Sequence, residues 1–363
     1  MKSILGLRKK AVVFAAAAVA AAVMCLCGCQ NQEDVQPEEQ VSYEIALVTD
    51  DGLINDGGHS EAAWNTITAF GATKGISHKY YKAVESTEAA YKSVIDTAVN
   101  NGAKIVIADG YDLGEVILEA QKEYTDIKFV VLDGEPIDER TGDIKLAMNS
   151  AAIEFDSAQA GFLAGYAAVV EGYGNIGFIG EKGGNDTSDF GFGFLRGADK
   201  AARESGENIS VRYLEAAADH EAVKAEAMKW YDEGTEVIFA CGKNIDSAVI
   251  EAAEAKEGRV IGGLFNRNDM SDVVITSAIQ NVDVALTEVL EKYKKGEFPG
   301  GEVLTYDASN QGIELVMQND KLEVLRTDEY KELLEEMAKG EIKMGLKNVE
   351  TVDQINLRNV TIL

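Results

Sequence analysis

Beyond residue 42 the chain alternates short apolar runs with stretches of helical period. The runs are YEIALVT from Tyr43, KIVIAD (104–109), IKFVVLD (127–133), NIGFIG (175–180), EVIFAC (236–241), RVIGGLF (259–265) and VVITSAI (273–279). Each is short, continuously apolar and rich in β-branched residues, as expected of strands buried on both faces of a parallel sheet. Between them, TEAAYKSVIDTAVNNG (87–102) sets Ala90, Val94, Ile95, Ala98 and Val99 on one helical face, with Gly102 as a C-cap. A further helix is expected at 328–339. This alternation predicts an α/β, doubly wound fold. The pattern restarts near residue 150, where FDSAQAGFLAGYAAVVEGYG (155–174) reads as a long Ala- and Gly-rich helix. One sheet of about ten parallel strands is rarer than two of about five. Two Rossmann-like lobes with a cleft between them are therefore expected. The N-terminal lobe comprises 43–150 and about 266–305, and the C-terminal lobe 151–265 and about 306–363.

Residues 1–42 break the pattern. MKSILGLRKK is basic, and an apolar run of 17 residues (11–27) follows. Gly28, Cys29 and the polar stretch QNQEDVQPEEQ (30–40) come next. A basic start, an apolar core and small residues at its end describe an export signal over 1–28. The alternative is a retained transmembrane helix, since the run approaches the spanning length of ~20 residues. LCGC (26–29) resembles the bacterial lipobox, in which a peptidase cuts before a diacylated cysteine. Lipidation is thus expected at Cys29, with 29–42 as a flexible tether, because two or more acyl chains hold a protein stably on a membrane. Cys25 and Cys27 would leave with the signal. Cys241 remains alone at the end of an apolar strand, where a cysteine usually serves as a small buried hydrophobe.

Charge narrows the partners. The 363 residues carry a formal net charge of −28, and the only charges in the first 28 residues are Lys2, Arg8, Lys9 and Lys10. The body is more acidic still, which repels phosphate backbones and argues against a nucleic-acid partner.

In open parallel sheets, ligands sit beyond the carboxyl ends of the strands. TDDGLINDGGHSEAAW (49–64) supplies Asp50, Asn55, Asp56, His59 and Ser60 there, and opens a helix whose free N–H groups can themselves bind. Later strand ends supply Asp109, Tyr111, Asp133, Gly242, Phe265, Asn266 and Arg267, and FGFGFLRGA (190–198) supplies Phe192. Such a mixture suits a small polar solute held by hydrogen bonds and stacking. No nucleophile is paired with a base, so no catalytic residue, cofactor or metal is expected. The structural alternative is that Asp and Gly end strands for turn chemistry alone. Asp51 and Glu61 read as solvated.

Several segments, in order, resemble the basic membrane protein family of substrate-binding lipoproteins, of the purine nucleoside receptor A type. They are 49–64, AGFLAGYAA (160–168), FGFGFLRGA (190–198), YDEGTEVIFACG (231–242) and VITSAIQNVDVAL (274–286). The resemblance runs from about 43 to about 313. It implies a type I periplasmic-binding-protein-like fold that captures a nucleoside or nucleoside-like solute outside the membrane and delivers it to an ABC permease. On that pattern Asp50 matches an aspartate that hydrogen-bonds the ligand, and Asn55 and Asp56 match a pair of aspartates. His59 falls where the family has a stacking phenylalanine, Ser60 on an asparagine and Ala217 near a second stacking phenylalanine. Leu264 replaces a ribose-binding aspartate and Gln280 a lysine. Each lost aromatic plate removes ~1–3 kcal/mol of stacking, so purine nucleosides are expected to bind weakly or not at all. Two rival functions are a surface lipoprotein whose cleft is blocked by His59, Phe192 and Phe265, acting as sensor or adhesin, and a nucleoside or sugar hydrolase using Asp50 with Asp56 or Asp109.

Overall fold

Ile45–Thr49 (β1) is buried at every position, as a strand covered on both faces must be. The computed structural model describes residues 42–49, 54, 58–110, 112–138, 141–183, 187–242, 244–317 and 321–363. Cys29, Asp50, Asn55, Asp56 and Tyr111 lie outside the described residues. After β1 come α1 (His59–Lys74), β2 (His78–Lys82), α2 (Glu88–Asn100), β3 (Ile105–Asp109), α3 (Leu113–Glu123), β4 (Lys128–Leu132) and β5 (Ser150–Phe155). The second series is α4 (Ser157–Val170), β6 (Asn175–Glu181), α5 (Thr187–Ser205), β7 (Ile209–Ala216), α6 (His220–Asp232), β8 (Val237–Cys241), α7 (Ile245–Lys256), β9 (Arg259–Leu264) and β10 (Val274–Gln280). The chain closes with α8 (Val282–Lys295), β11 (Val303–Tyr306), β12 (Ile313–Leu315), α9 (Thr327–Ala338) and β13 (Val360–Ile362).

Among the described residues the strands form two main sheets. The first has the order β11-β5-β4-β3-β1-β2 and the second β12-β10-β9-β8-β6-β7-β13. All pairings within them are parallel except that of β12 with β10. The α/β doubly wound expectation and the two lobes are therefore observed.

The sheets divide the chain differently from the sequence expectation at two places. Segment 266–305 was assigned to the first lobe, yet β10 lies in the second sheet with Ile279 opposite Leu264 of β9. The second lobe was begun at 151, yet β5 pairs with β4 in the first sheet, Ile153 opposite Leu132. An apolar strand carries no mark of which sheet it joins, so register alone decides. The chain consequently crosses between lobes around Asp156, Asn281 and 307–312. These segments brace one another: Asp156 N donates to Tyr306 O at 2.9 Å, and Asn281 N donates to Gly312 O at 2.8 Å. Ala308 N donates to Gln159 Oε1 at 2.9 Å.

The second lobe's core contains a close helix pair. A Cβ added to Gly161 or Gly165 of α4 would fall 2.0 Å from the carbonyl oxygens of Phe190 and Phe194 on α5. A Cβ on Gly193 or Gly197 of α5 would fall 2.0 and 1.9 Å from the carbonyl oxygens of Ala158 and Phe162 on α4. AGFLAGYAA and FGFGFLRGA are therefore the two halves of a backbone-to-backbone contact that admits no side chain.

Candidate functional site

The strand ends of the first lobe place four polar side chains together. His59 and Ser60 begin α1, whose N-cap is Gly58 in extended conformation. Asp109 ends β3 and is 4% exposed. Asp133 follows β4 with φ at 56°, a left-handed conformation that turns the chain sharply off the sheet. Ser60 Oγ donates to Asp109 Oδ2 in a short contact. The His59 Nδ1 lies 3.9 Å from Asp109 Oδ1 and 4.0 Å from Asp133 Oδ2.

The ring's other nitrogen reaches the second lobe. His59 Nε2 sits 2.6 Å from Gln280 Oε1, at the end of β10. Gln280 Nε2 in turn donates to Ser157 Oγ at 2.8 Å, at the start of α4. With the amide oxygen facing the ring, Nε2 carries the hydrogen and donates. Nδ1 faces the carboxylates of Asp109 and Asp133, two acceptor groups that converge in an arrangement suited to N–H or O–H donors on a solute. Two aromatic edges close around the imidazole. Phe155 stands at 6.2 Å and 86°, and Phe265 at 5.0 Å and 82°.

The remaining candidates fall elsewhere. Phe192, expected at the cleft, is 3% exposed in the core of the second lobe, with its ring 6.4 Å from Tyr213 in a stacked arrangement. Its place on α5 beside the glycine contacts turns it inward. Gly242 follows β8 at φ 132°, and a Cβ there would meet the Glu181 side chain at 2.5 Å. Its role is close approach of two strand ends. Asn266 Oδ1 accepts from Asn268 N at 3.0 Å within an exposed turn. Ala217 is exposed, and Leu264 has φ of 67°. Cys241 is buried, as a small apolar residue would be. Asp133 was visible as a strand-end residue. Phe155 and Ser157 were not singled out, because a crossover segment has no local signature. Beside them, burial pushes the Asp156 carboxyl above its ordinary value. No group of His, Cys, Asp and Glu suited to a metal occurs among the described residues, and none of their helices is long and apolar enough to cross a membrane.

Residues 44–349 match the model of a family described as ABC transporter substrate-binding protein PnrA-like. The chain belongs to this family. It is 26% identical over 341 residues to the ABC transporter nucleoside-binding protein BmpA of Lactococcus lactis subsp. cremoris, covering 87% of this chain and 94% of that protein. It is 27% identical over 351 residues to the CD4+ T-cell-stimulating antigen of Listeria innocua, covering 90% and 95%. A solved ABC transporter solute-binding protein from Conexibacter woesei superposes with a TM-score of 0.67 at 21% identity, over 83% of this chain and 98% of that one, a likeness of fold. Membership gives the protein a substrate-binding role with a small-molecule ligand, and a permease as partner. Family members bind solutes on the extracytoplasmic side and are not enzymes.

Proposed function

We propose that the protein is held on the outer face of the cell membrane through acyl groups on Cys29. There it captures a small polar, nucleoside-like solute between the carboxyl ends of its two sheets and passes it to an ABC permease. The observation that carries this reading is the His59–Gln280 bond. It joins the first helix of one lobe to a strand end of the other, beside Asp109, Asp133 and Ser60. A solute bound there touches both lobes and so favours the closed arrangement, which is how ligand binding becomes a signal to a permease. Asp50, Asn55, Asp56 and Tyr111 complete the site in this reading.

The nucleoside part draws on the named specificity of the Lactococcus relative. The departures at His59, Ala217, Leu264 and Gln280 set purine nucleosides apart, because two rings, a carboxylate and a lysine are gone. Thermal-shift screening followed by calorimetry tests the reading. A nucleoside-like solute is expected to bind, with inosine, guanosine and adenosine weaker than submicromolar. Submicromolar binding of any of those three would overturn the exclusion. Cys29→Ala should release soluble protein or leave an unprocessed precursor, and a processed, membrane-bound product would sink the anchor.

A second reading, a sensor or adhesin with a closed-off cleft, is favoured by one observation: the 5.0 Å contact between His59 and Phe265. No response to any solute in the same screen would select it.

A further inference from the structure

The two ends of the first lobe differ in charge. All strand pairings of its main sheet are parallel. The amino ends of the strands and the carboxyl ends of the returning helices therefore gather at one base, away from the cleft. The described chain enters at this base, at Ser42 and Tyr43. Lysines collect there: Lys74 ends α1, Lys79 is second in β2, Lys104 precedes β3, Lys128 opens β4, and Lys294 and Lys295 end α8. Lys74 pairs with Glu291 at 2.5 Å and Lys294 with Glu44 at 3.8 Å. No ion pair joins Lys79, Lys104, Lys128 or Lys295 to a carboxylate among the described residues. Asp126, Glu297 and Glu302 stand at the same end, and Glu123 pairs with Lys92. The base is thus close to neutral in a chain of net charge −28. The cleft end of the same lobe sets Lys82 against Asp109, Asp112, Glu115, Asp133 and Glu135. Three of the basal lysines also lie over rings. Their Nζ atoms stand 5.6 Å from Phe70 for Lys74, 5.2 Å from Tyr43 for Lys79 and 5.5 Å from Phe298 for Lys128.

We propose that the base of the first lobe rests on an anionic lipid surface, with Lys79, Lys104, Lys128 and Lys295 on the headgroups and the cleft turned away from the membrane. This rests on the reading that Cys29 anchors the protein. Lysines beside aromatic rings are the composition of a membrane–water interface, where an apolar stem or ring lies low and the charge reaches the headgroups. Each lysine near an anionic surface favours contact about fivefold. The acidic cleft end is repelled by the same surface, so the contrast between the two ends sets the orientation. Residues 30–41 span at most roughly 40 Å when extended. An anchor that short keeps the base at high effective concentration, and contacts too weak to hold a free protein suffice. In this posture the strand ends that carry His59, Asp109 and Asp133 face the solution from which solute arrives.

Lysine labelling tests this. The full chain, purified from membranes and reconstituted into vesicles, is treated with a membrane-impermeant acylating reagent, and each lysine is read by mass spectrometry. In vesicles rich in phosphatidylglycerol, Lys79, Lys104, Lys128 and Lys295 should label at least about threefold more slowly than in phosphatidylcholine vesicles. Lys229 and Lys339 of the second lobe, both exposed, should label equally in the two. The difference should vanish near ~1 M salt, where charges are screened beyond ~3 Å. Lys79→Glu combined with Lys104→Glu and Lys295→Glu should abolish the protection of Lys128. Equal labelling of the basal lysines in the two vesicle types overturns the inference while the anchor stands. Protection that appears in phosphatidylcholine as well and grows with protein density means that a second copy covers this face, and overturns it too. If the chain stays with neither kind of vesicle, the anchor falls and the inference falls with it.

Discussion

The two walls of the cleft are built on one plan and bring different chemistry. In the first lobe, strand ends and a helix start present His59, Ser60, Asp109 and Asp133, all hydrogen-bonding groups. In the second, they present Phe265, with Arg267 and Asp246 behind it and Gln280 beside it. The backbone path is alike in both, a parallel strand followed by a turn beyond its carboxyl end. What differs is what lies behind each wall. The second lobe rests on the meshed helices α4 and α5, and its residues near the cleft are braced rather than solvated. The lesson is that one topology can weight its two walls differently: mainly hydrogen-bonding groups on the first lobe, with Phe155 at their edge, and an aromatic ring on the second, with Gln280 beside it.

The most severe way to break the comparison is to spoil the second lobe's support. Gly197→Ala puts a methyl group 1.9 Å from the Phe162 carbonyl oxygen, with backbone on both sides and nothing that can yield. Overpacking of this kind costs about 3 kcal/mol or more. The denaturant midpoint should fall at unchanged slope, and a midpoint equal to wild type would show that α4 and α5 slide apart freely. The next largest effect concerns the polar wall. Asp109→Ala should reduce affinity for any bound solute at least about tenfold, because a charged acceptor contributes ~1.5–3 kcal/mol. Calorimetry should find this loss for flat and saturated solutes alike, whereas Phe265→Ala, which removes an apolar surface and no acceptor, should spare saturated solutes. Equal selectivity in the two variants would erase the distinction between the walls.

Gln280→Ala tests the link between walls. It removes the partner of both His59 and Ser157, worth ~1 kcal/mol, or about fivefold in affinity. Solution scattering of the ligand-free variant should show a larger radius of gyration, and an unchanged radius would mean that the link does not favour closure. The smallest effect lies at the crossover. Burial raises the Asp156 carboxyl above its ordinary 3.8, so the folded state holds this proton more tightly than the unfolded one. The stability tied to the group is fully present below pH ~3.8 and is lost as pH rises through the raised folded value. Asp156→Asn keeps an N-cap of similar quality. It should match or slightly exceed wild type at neutral pH and lose that advantage on acidification toward pH ~4. Urea midpoints at the two pH values check this, and an advantage that grows in acid would reverse the sign.

Much of the fold was legible because buried strands announce themselves locally. IVIAD and VIFAC are apolar at nearly every position whatever they pair with, and helix faces repeat with the helical period. The positions His59, Ser60 and Asp109 were legible too, since a strand end in a parallel sheet is identifiable from the run before it. Phe192 was misplaced for a related reason. It stands in a glycine- and aromatic-rich segment that resembles site chemistry, and nothing local distinguishes a glycine that admits a ligand from one that admits a neighbouring helix.

The sequence alone determined the α/β alternation, the number of lobes and the residues available at each strand end, because these depend on period and on neighbours a few positions away. Tertiary structure alone decided which sheet received β10, that Gly161, Gly165, Gly193 and Gly197 face one another, and that Phe265 rather than Phe192 reaches the cleft. It also decided that His59 meets Gln280 across 221 positions of chain. Such pairings follow from which surfaces pack together and in what register, and hydropathy period carries no record of a partner that far away.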